Sequence, residues 1–270
     1  MKFAIIIPAR FASTRYPGKP LAMLHGAGGA AKPLVQRSWD CARQVAGASG
    51  VWVATDDERI ADAVRGFGGQ VVMTSPHCRN GTERCADALD KLGAGFDAVV
   101  NLQGDAPLTP AFVIEALVEA LASDPGAAMA TVALRCSPTT YEHLVGDQAA
   151  GRVGGTTVVT TTQGRALYFS KRVIPYVPAV QSALQPSSWP DAVRLHLGLY
   201  AYRPDALMAY AATPPSPLED LEGLEQLRFL EAGQPVRVVT FDPVGWDCIE
   251  LNNPEDIPAI ERVLHQRGID

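Results

Sequence analysis

The sequence predicts an α/β fold, a doubly wound and mostly parallel sheet with a smaller mixed lobe in its second half. Three observations carry this expectation. Short apolar runs alternate with segments of helical periodicity from residue 3 to residue 134. The first run, 3–7 (FAIII), is uninterrupted and β-branched, and polar clusters follow three of the runs. Uninterrupted apolar runs mark strands covered on both faces, and their alternation with helices is the pattern of a parallel sheet.

Taken in order, strands are expected at 3–7, 51–55, 70–73, 98–102 and 129–134. Helices are expected at 33–45, from a cap at Asp56 or Asp57 to residue 67, at 82–92, and after Thr109 as cap with Pro110 at the first helical position. The stretch 25–31 (HGAGGAA) reads as a flexible surface loop. In the second half, strands at 158–161 and 166–169 flank a turn at Gln163 and Gly164, and 182–191 reads as a loop. A strand at 195–202, one long helix at 218–231 closed by Gly233, a strand at 236–240 and a last helix at 254–266 follow. The expected organisation is a single domain over 1–270: a ligand-binding half at 1–135, a lobe at 155–240, and a return to the main sheet at 241–270.

Composition narrows the function classes. Hydrophobic residues make up 47% and charged residues 19% of the 270, which is globular composition. The net charge of −6, with no long basic run, argues against nucleic-acid or membrane-surface binding. The five cysteines, Cys41, Cys78, Cys85, Cys136 and Cys248, form no CxxC pair, so a reducing compartment is expected and a structural zinc is not. The apolar run 3–7 is too short for a secretory signal, and 111–134 is interrupted by Glu115, Glu119 and Asp124. A cytoplasmic protein is expected.

In doubly wound sheets ligands bind beyond the carboxyl ends of the strands. The polar clusters here follow Ile7, Ala54 and Leu102. The most informative is the loop 8–20 (PARFASTRYPGKP), which brings Arg10, Arg15 and Lys19 together after a buried strand. Such a set suits a triphosphate, since Arg grips phosphate oxygens bidentately and Lys acts as a point charge. It is no Walker loop, because Ser13 and Pro20 stand where Gly and Ser or Thr are needed, and no GxGxxG follows the strand. After Leu102, Asp105 reads either as a turn residue before Pro107 or as a carboxylate placed to hold Mg²⁺ against phosphates.

The loop 8–19 resembles the signature loop of the CMP-Kdo synthetases, the 3-deoxy-manno-octulosonate cytidylyltransferases. Further segments are similar in chain order: 53–56 (VATD), 81–84 (GTER), 101–105 (NLQGD), 166–170 (ALYFS), 196–203 (HLGLYAYR), and 215–219 (PSPLE) with 224–228 (LEQLR). The resemblance spans nearly the whole chain. It implies a nucleotide-diphospho-sugar transferase-like fold whose first half binds CTP and whose lobe binds the sugar acid and forms a homodimer. It implies Mg²⁺ as cofactor, and attack of the Kdo anomeric hydroxyl on the α-phosphate to give CMP-Kdo and pyrophosphate for cell-surface (lipopolysaccharide) biosynthesis.

By the same resemblance, Arg10, Arg15, Lys19 and Asp105 are the catalytic candidates. Pro8, Ala9, Arg10, Ser13, Lys19, Thr55, Asp56, Asn80, Gly81, Thr82 and Arg84 are the nucleotide-binding ones, although Thr82 reads equally well as a helix cap. Gln103, Lys171, His196, Tyr200, Glu225 and Gln226 are the sugar-acid candidates. His196 alone reads as a core histidine, and Glu225 and Gln226 as a polar helix face.

Three departures from the family pattern stand out. Asn252, before the segment 254–256 (PED), takes the place of a second metal-binding Asp, with Asp247 and Glu250 as possible substitutes. Ala106 stands where Glu is usual. Lys171 replaces an Arg and cannot reproduce its bidentate grip, while Arg172, its strand neighbour, is expected on the opposite face. The expected metal ligands are Asp105 and Asn252. A nucleotide-binding paralogue with weakened catalysis, or a transferase for a different acidic sugar, are the alternatives.

Overall fold

The computed structural model describes residues 1–12, 16–178, 192–242 and 249–270. The expected loop at 182–191, with Ser13, Arg15, Asp247 and Cys248, lies outside the described residues. The chain forms two compact units. The first comprises Met1–Val118, Ala201–Ala211 and Trp246–Asp270, and the second Glu119–Tyr200 and Ala212–Gly245.

In the first unit, β1 (Phe3–Pro8) lies between β4 (Ala48–Thr55) and β6 (Ala98–Asn101), with β5 (Gln70–Met73) beyond β4. All these pairings are parallel. The chain therefore starts in the middle, builds outward through β4 and β5, and returns to the other side of β1 with β6. Right-handed crossovers place the connecting helices on opposite faces when the order reverses this way, and a crevice opens beyond β1 and β6. The helices are α1 (Leu34–Ala42), α2 (Glu58–Gly66), α3 (Gly81–Leu92) and α4 (Ala111–Ser123), the last running on into the second unit. Asp57 caps α2 through Arg59 N, and Asn80, rather than Thr82, caps α3 through Glu83 N. Helix α4 starts at Ala111, one residue past the expected Pro110.

The stretch read as a flexible loop is an ordered hairpin, β2 (Met23–His25) against β3 (Ala31–Pro33). Buried Arg37 bridges it, donating to Leu24 O at 2.7 Å and Ala30 O at 3.2 Å. The Gly- and Ala-rich composition misled because side chains outside the segment hold it. Leu24 joins Leu34, Leu108, Leu251, Ile260, Val263 and Leu264 in one apolar cluster, which the last helix, α9 (Ile257–Arg267), completes.

In the second unit, β7 (Met129–Arg135) pairs in parallel with β11 (Val236–Phe241), and β8 (Thr156–Thr160) pairs antiparallel with β9 (Ala166–Ser170) and β10 (Arg194–Tyr202). Helix α5 (Pro138–Ala149) was not expected from the sequence. The expected single helix at 218–231 is two, α7 (Pro217–Glu222) and α8 (Gln226–Glu231). Gly223, at φ 61°, closes α7 in the left-handed conformation that glycine adopts without steric cost. Between β10 and α7 the chain passes through the first unit as α6 (Pro204–Ala212). Among the described residues no helix is long and apolar enough to cross a membrane.

Candidate active site

The crevice beyond β1 and β6 is built by close backbone packing. Gly104 follows β6 and lies against the end of β1: a Cβ there would stand 2.8 Å from Pro8 O, so only glycine lets the two strand ends approach this closely. Ala9 N donates to Ala54 O and Leu102 N to Ile6 O, which extends the sheet pairing into both loops. Ser38 Oγ donates to Gly104 O at 3.0 Å. The next residue, Asp105, therefore sits at the mouth of the loop 8–20.

Lys19 meets it there. It opens a 3-10 turn, Lys19–Leu21, and its Nζ lies 2.5 Å from Asp105 Oδ2. The loop before it closes on itself through Gly18 N to Phe11 O, and the Arg59 guanidinium stacks over the Phe11 ring. Arg10 is exposed and forms no ion pair among the described residues. A triphosphate brings about four negative charges, so a cation still held by water is cheap to redirect toward it.

A backbone bond from Leu251 N to Asp105 O, 2.9 Å, puts Asn252 one residue from this point. Asp256 holds the segment, its Oδ2 accepting from Asn252 N at 2.8 Å and Asn253 N at 2.7 Å. Among the described residues no group of three or more His, Cys, Asp or Glu could hold a metal ion. The donors present are a carboxylate and an amide residue, all oxygen. Asp105 already accepts one cation, the Lys19 ammonium. That set fits a Mg²⁺ ion delivered with phosphate oxygens, and does not form a cage by itself.

The nucleotide-binding candidates at the ends of β4 and α3 are engaged with one another. Thr55 is buried, its Oγ1 accepting from Asp57 N at 3.2 Å. Arg84 is buried, pairs with Asp56 Oδ1 at 3.2 Å and donates to Thr74 Oγ1 at 2.6 Å. Thr82 is completely buried, with its hydroxyl 2.7 Å from Tyr202 Oη. Its hydroxyl is thus engaged inside the protein.

Among the sugar-acid candidates, Gln103 follows β6 and its amide lies beside Gly81. His196, Tyr200 and Gln226 come together within the second unit. Tyr200 Oη donates to Gln226 Oε1 at 3.2 Å, and the His196 ring packs on Tyr200 and Phe169. His196 Nε2 lies 2.9 Å from Thr131 Oγ1. Burial pushes the imidazole down to about 3, so it is neutral at physiological pH and offers an anion no charge. Gln226 Nε2 is a buried donor without a partner among the described residues. Glu225 is half-buried beside it, ahead of α8.

Lys171 stands apart from that group. It lies past the end of β9, in a bend that also holds Arg172, so strand alternation does not separate the two. Both line one cavity of about 400 Å³ with Arg152, Tyr168 and Glu222. The Glu222 carboxylate accepts from Ser170 Oγ at 2.7 Å and Lys171 N at 3.0 Å. Elsewhere, burial pushes the thiols of Cys41 and Cys136 up to about 11, which leaves neither as a nucleophile.

Sequence reasoning missed Tyr202, Tyr210, Thr131 and Glu222. Tyr202 shares the strand alternation of His196 and Tyr200, which was the one signal available. The other three sit in segments with no distinguishing pattern.

With this geometry described, comparison with known proteins is decisive. The model of the cytidylyltransferase family matches residues 4–238. A 3-deoxy-manno-octulosonate cytidylyltransferase from Maricaulis maris (strain MCS10) is 44% identical over 268 residues, covering 99% of each chain. The chain belongs to the CMP-Kdo synthetase family. The mitochondrial 3-deoxy-manno-octulosonate cytidylyltransferase of Arabidopsis thaliana is 38% identical, over 98% of this chain and 83% of its own. A solved structure of CMP:2-keto-3-deoxy-manno-octonic acid synthetase complexed with CTP aligns with a TM-score of 0.83 at 34% identity, covering 99% of this chain and 100% of that one. The 4-diphosphocytidyl-2C-methyl-D-erythritol synthase of Anaerococcus prevotii, at 15% identity and a TM-score of 0.59, shares the fold alone.

Proposed function

We propose that this chain is a magnesium-dependent cytidylyltransferase that converts CTP and 3-deoxy-manno-octulosonate into CMP-Kdo and pyrophosphate. The observation that carries the reading is the Lys19 ammonium paired with Asp105 at the crevice between β1 and β6. The full-length similarity to relatives bearing that name, one of them solved with CTP, supports it.

In this reading the anomeric hydroxyl attacks the α-phosphorus, a new P–O bond forms, and the bond to the β-phosphate oxygen breaks. Pyrophosphate leaves with the electron pair. Such a transfer needs alignment and charge neutralisation more than covalent work by side chains. Lys19 exchanges its carboxylate partner for phosphate oxygens, and Arg10, which is exposed, adds charge that matches the growing negative charge on the leaving group, as the family resemblance also implies for Arg15. Asp105, with Asn252 next to it, would hold a magnesium ion, which when bound would neutralise phosphate charge and make the acceptor hydroxyl more acidic. The neutral cluster of His196, Tyr200 and Gln226 hydrogen-bonds the sugar hydroxyls, and Lys171 or Arg172 meets the carboxylate. We further read the protein as a cytoplasmic homodimer acting in cell-surface polysaccharide synthesis.

Incubation with CTP, Mg²⁺ and Kdo should release pyrophosphate and yield CMP-Kdo, detected by mass spectrometry. Absence of product with every acid in a panel of ulosonic acids overturns the assignment. Light scattering should give twice the 28.7 kDa chain mass. Asn252 favours a second reading, a CTP-binding paralogue with weakened turnover. CTP binding without turnover, unrestored by Asn252→Asp, selects it.

A further inference from the structure

Two tyrosines outside the sequence-predicted set brace residues 80–84, which the family resemblance implies as the segment that meets the nucleotide base. Tyr202 ends β10 and Tyr210 lies on α6, both in the first unit with the segment they touch. Tyr202 is completely buried. Its phenol oxygen lies 2.7 Å from Thr82 Oγ1 and accepts from Asn101 Nδ2 at 3.4 Å. Tyr210 Oη accepts from Asn80 Nδ2 at 2.8 Å, while Asn80 Oδ1 accepts from Glu83 N at 2.8 Å. The polar side chains on either side of Gly81 are therefore both drawn inward.

Gly81 is held from the opposite side. A Cβ at this position would stand 3.2 Å from Gln103 Nε2 and 3.3 Å from Asn101 Nδ2, so two side-chain amides rest against its α-carbon. Asn101 is completely buried and its Oδ1 has no hydrogen-bond partner among the described residues. Its amide is oriented from one end only, through the bond to Tyr202. Loss of the Tyr202 hydroxyl thus removes one bond from Thr82 and one from Asn101 together, and Asn101 is one of the two amides packed on Gly81.

We propose that Tyr202 and Tyr210 are positioning residues for nucleotide recognition, fixing residues 80–82 so that their backbone, not the Asn80 and Thr82 side chains, meets the base. This rests on the reading of 80–84 as the base segment. A rigid backbone edge discriminates cytosine from uracil because the two bases carry opposite donor and acceptor patterns at N3 and at the exocyclic position, and a mismatch leaves buried groups unpaired. Discrimination of that kind fails when the edge can shift to suit either base.

The test is steady-state kinetics on Tyr202→Phe and Tyr210→Phe with CTP and UTP, alongside CTP calorimetry. Loss of one buried hydrogen bond should raise KM for CTP about 3- to 10-fold and lower the preference for CTP over UTP, with KM for the sugar acid within about twofold of wild type. Thr82→Val should reproduce part of the Tyr202→Phe defect, Thr82→Ser should retain the nucleotide preference that Thr82→Val loses, and the Tyr202→Phe/Thr82→Val double variant should be no worse than Tyr202→Phe alone. Equal rises in both KM values with a lowered Tm indicate a purely structural role and overturn the inference. A wild-type chain that binds no CTP overturns the reading of the site itself. A wild-type chain that binds CTP no better than Tyr202→Phe does, with the same nucleotide preference, overturns only the positioning role.

Discussion

Two ion pairs of the same 2.5 Å length, one in each unit, do opposite things. Lys19–Asp105 in the first unit is a single contact with side chains 15% and 24% exposed. Arg228–Glu219 in the second is bidentate, at 2.5 and 2.7 Å, with side chains 3% and 8% exposed. Arg228 also donates to Thr213 O, and Glu219 forms the capping box of α7 with Ser216. The buried pair has every strong contact satisfied and nothing to gain from a ligand. The half-open pair holds each partner loosely enough to be redirected. Length alone does not distinguish a structural ion pair from a functional one; burial and the number of other bonds do.

The comparison can be broken at several points. Glu219→Ala leaves the Arg228 guanidinium buried without its carboxylate partner and should lower stability by about 3–5 kcal/mol, read by denaturant unfolding. A loss below 1 kcal/mol would mean the pair is no anchor. Asp105→Asn should do the reverse: Tm nearly unchanged, but kcat/KM down about 100-fold or more, since several kcal/mol of transition-state stabilisation pass through that carboxylate. A chain with near-normal kcat/KM would remove Asp105 from the chemistry. Gly104→Ala should cost about 1–3 kcal/mol by overpacking against the Pro8 carbonyl, and should weaken CTP binding as the strand ends part. Asn252→Asp adds a charge beside Asp105 and should tighten Mn²⁺ binding in the presence of CTP about tenfold, read by electron paramagnetic resonance.

A further expected effect concerns pH and acts on stability alone. The native His196 ring is held neutral down to about 3, whereas the unfolded chain protonates it near its ordinary value of 6.5. Between those values the unfolded state binds more protons, so stability falls on acidification and is fully present above pH 6.5. The slope of Tm against pH from 6.5 to 4 should be shallower in His196→Gln than in wild type. Equal slopes would show that the ring is not sequestered as the geometry indicates.

The first half of the chain was largely legible in its sequence because its signals are local. The run 3–7 can only be a buried strand, and the strand at 70–73 is found where it was expected. Errors arose where distant groups decide the outcome. The hairpin at 23–33 is held by Arg37, and α7 parts from α8 because Gly223 turns left-handed in a stretch whose apolar spacing continues through it. At the site, residue types pointed to a phosphate loop and a carboxylate, whereas the Lys19–Asp105 contact depends on the closeness of two strand ends. Thr82 looked like a cap or a base contact; Asn80 takes the cap, and the Thr82 side chain is buried. Its hydroxyl faces a tyrosine 120 residues further along the chain, and no pattern around residue 82 reveals that.

The bond from Leu251 N to Asp105 O has a consequence for biosynthesis. The carboxylate emerges from the ribosome long before the segment that steadies it, and that segment is anchored by a helix made later still. A nascent or prematurely terminated polypeptide can fold its early strands and yet lack the brace beside Asp105. Such distant contacts also slow folding, because the chain must close a large loop before gaining from them. The support beside Asp105 is therefore acquired only after residues 251–256 have been made and have docked.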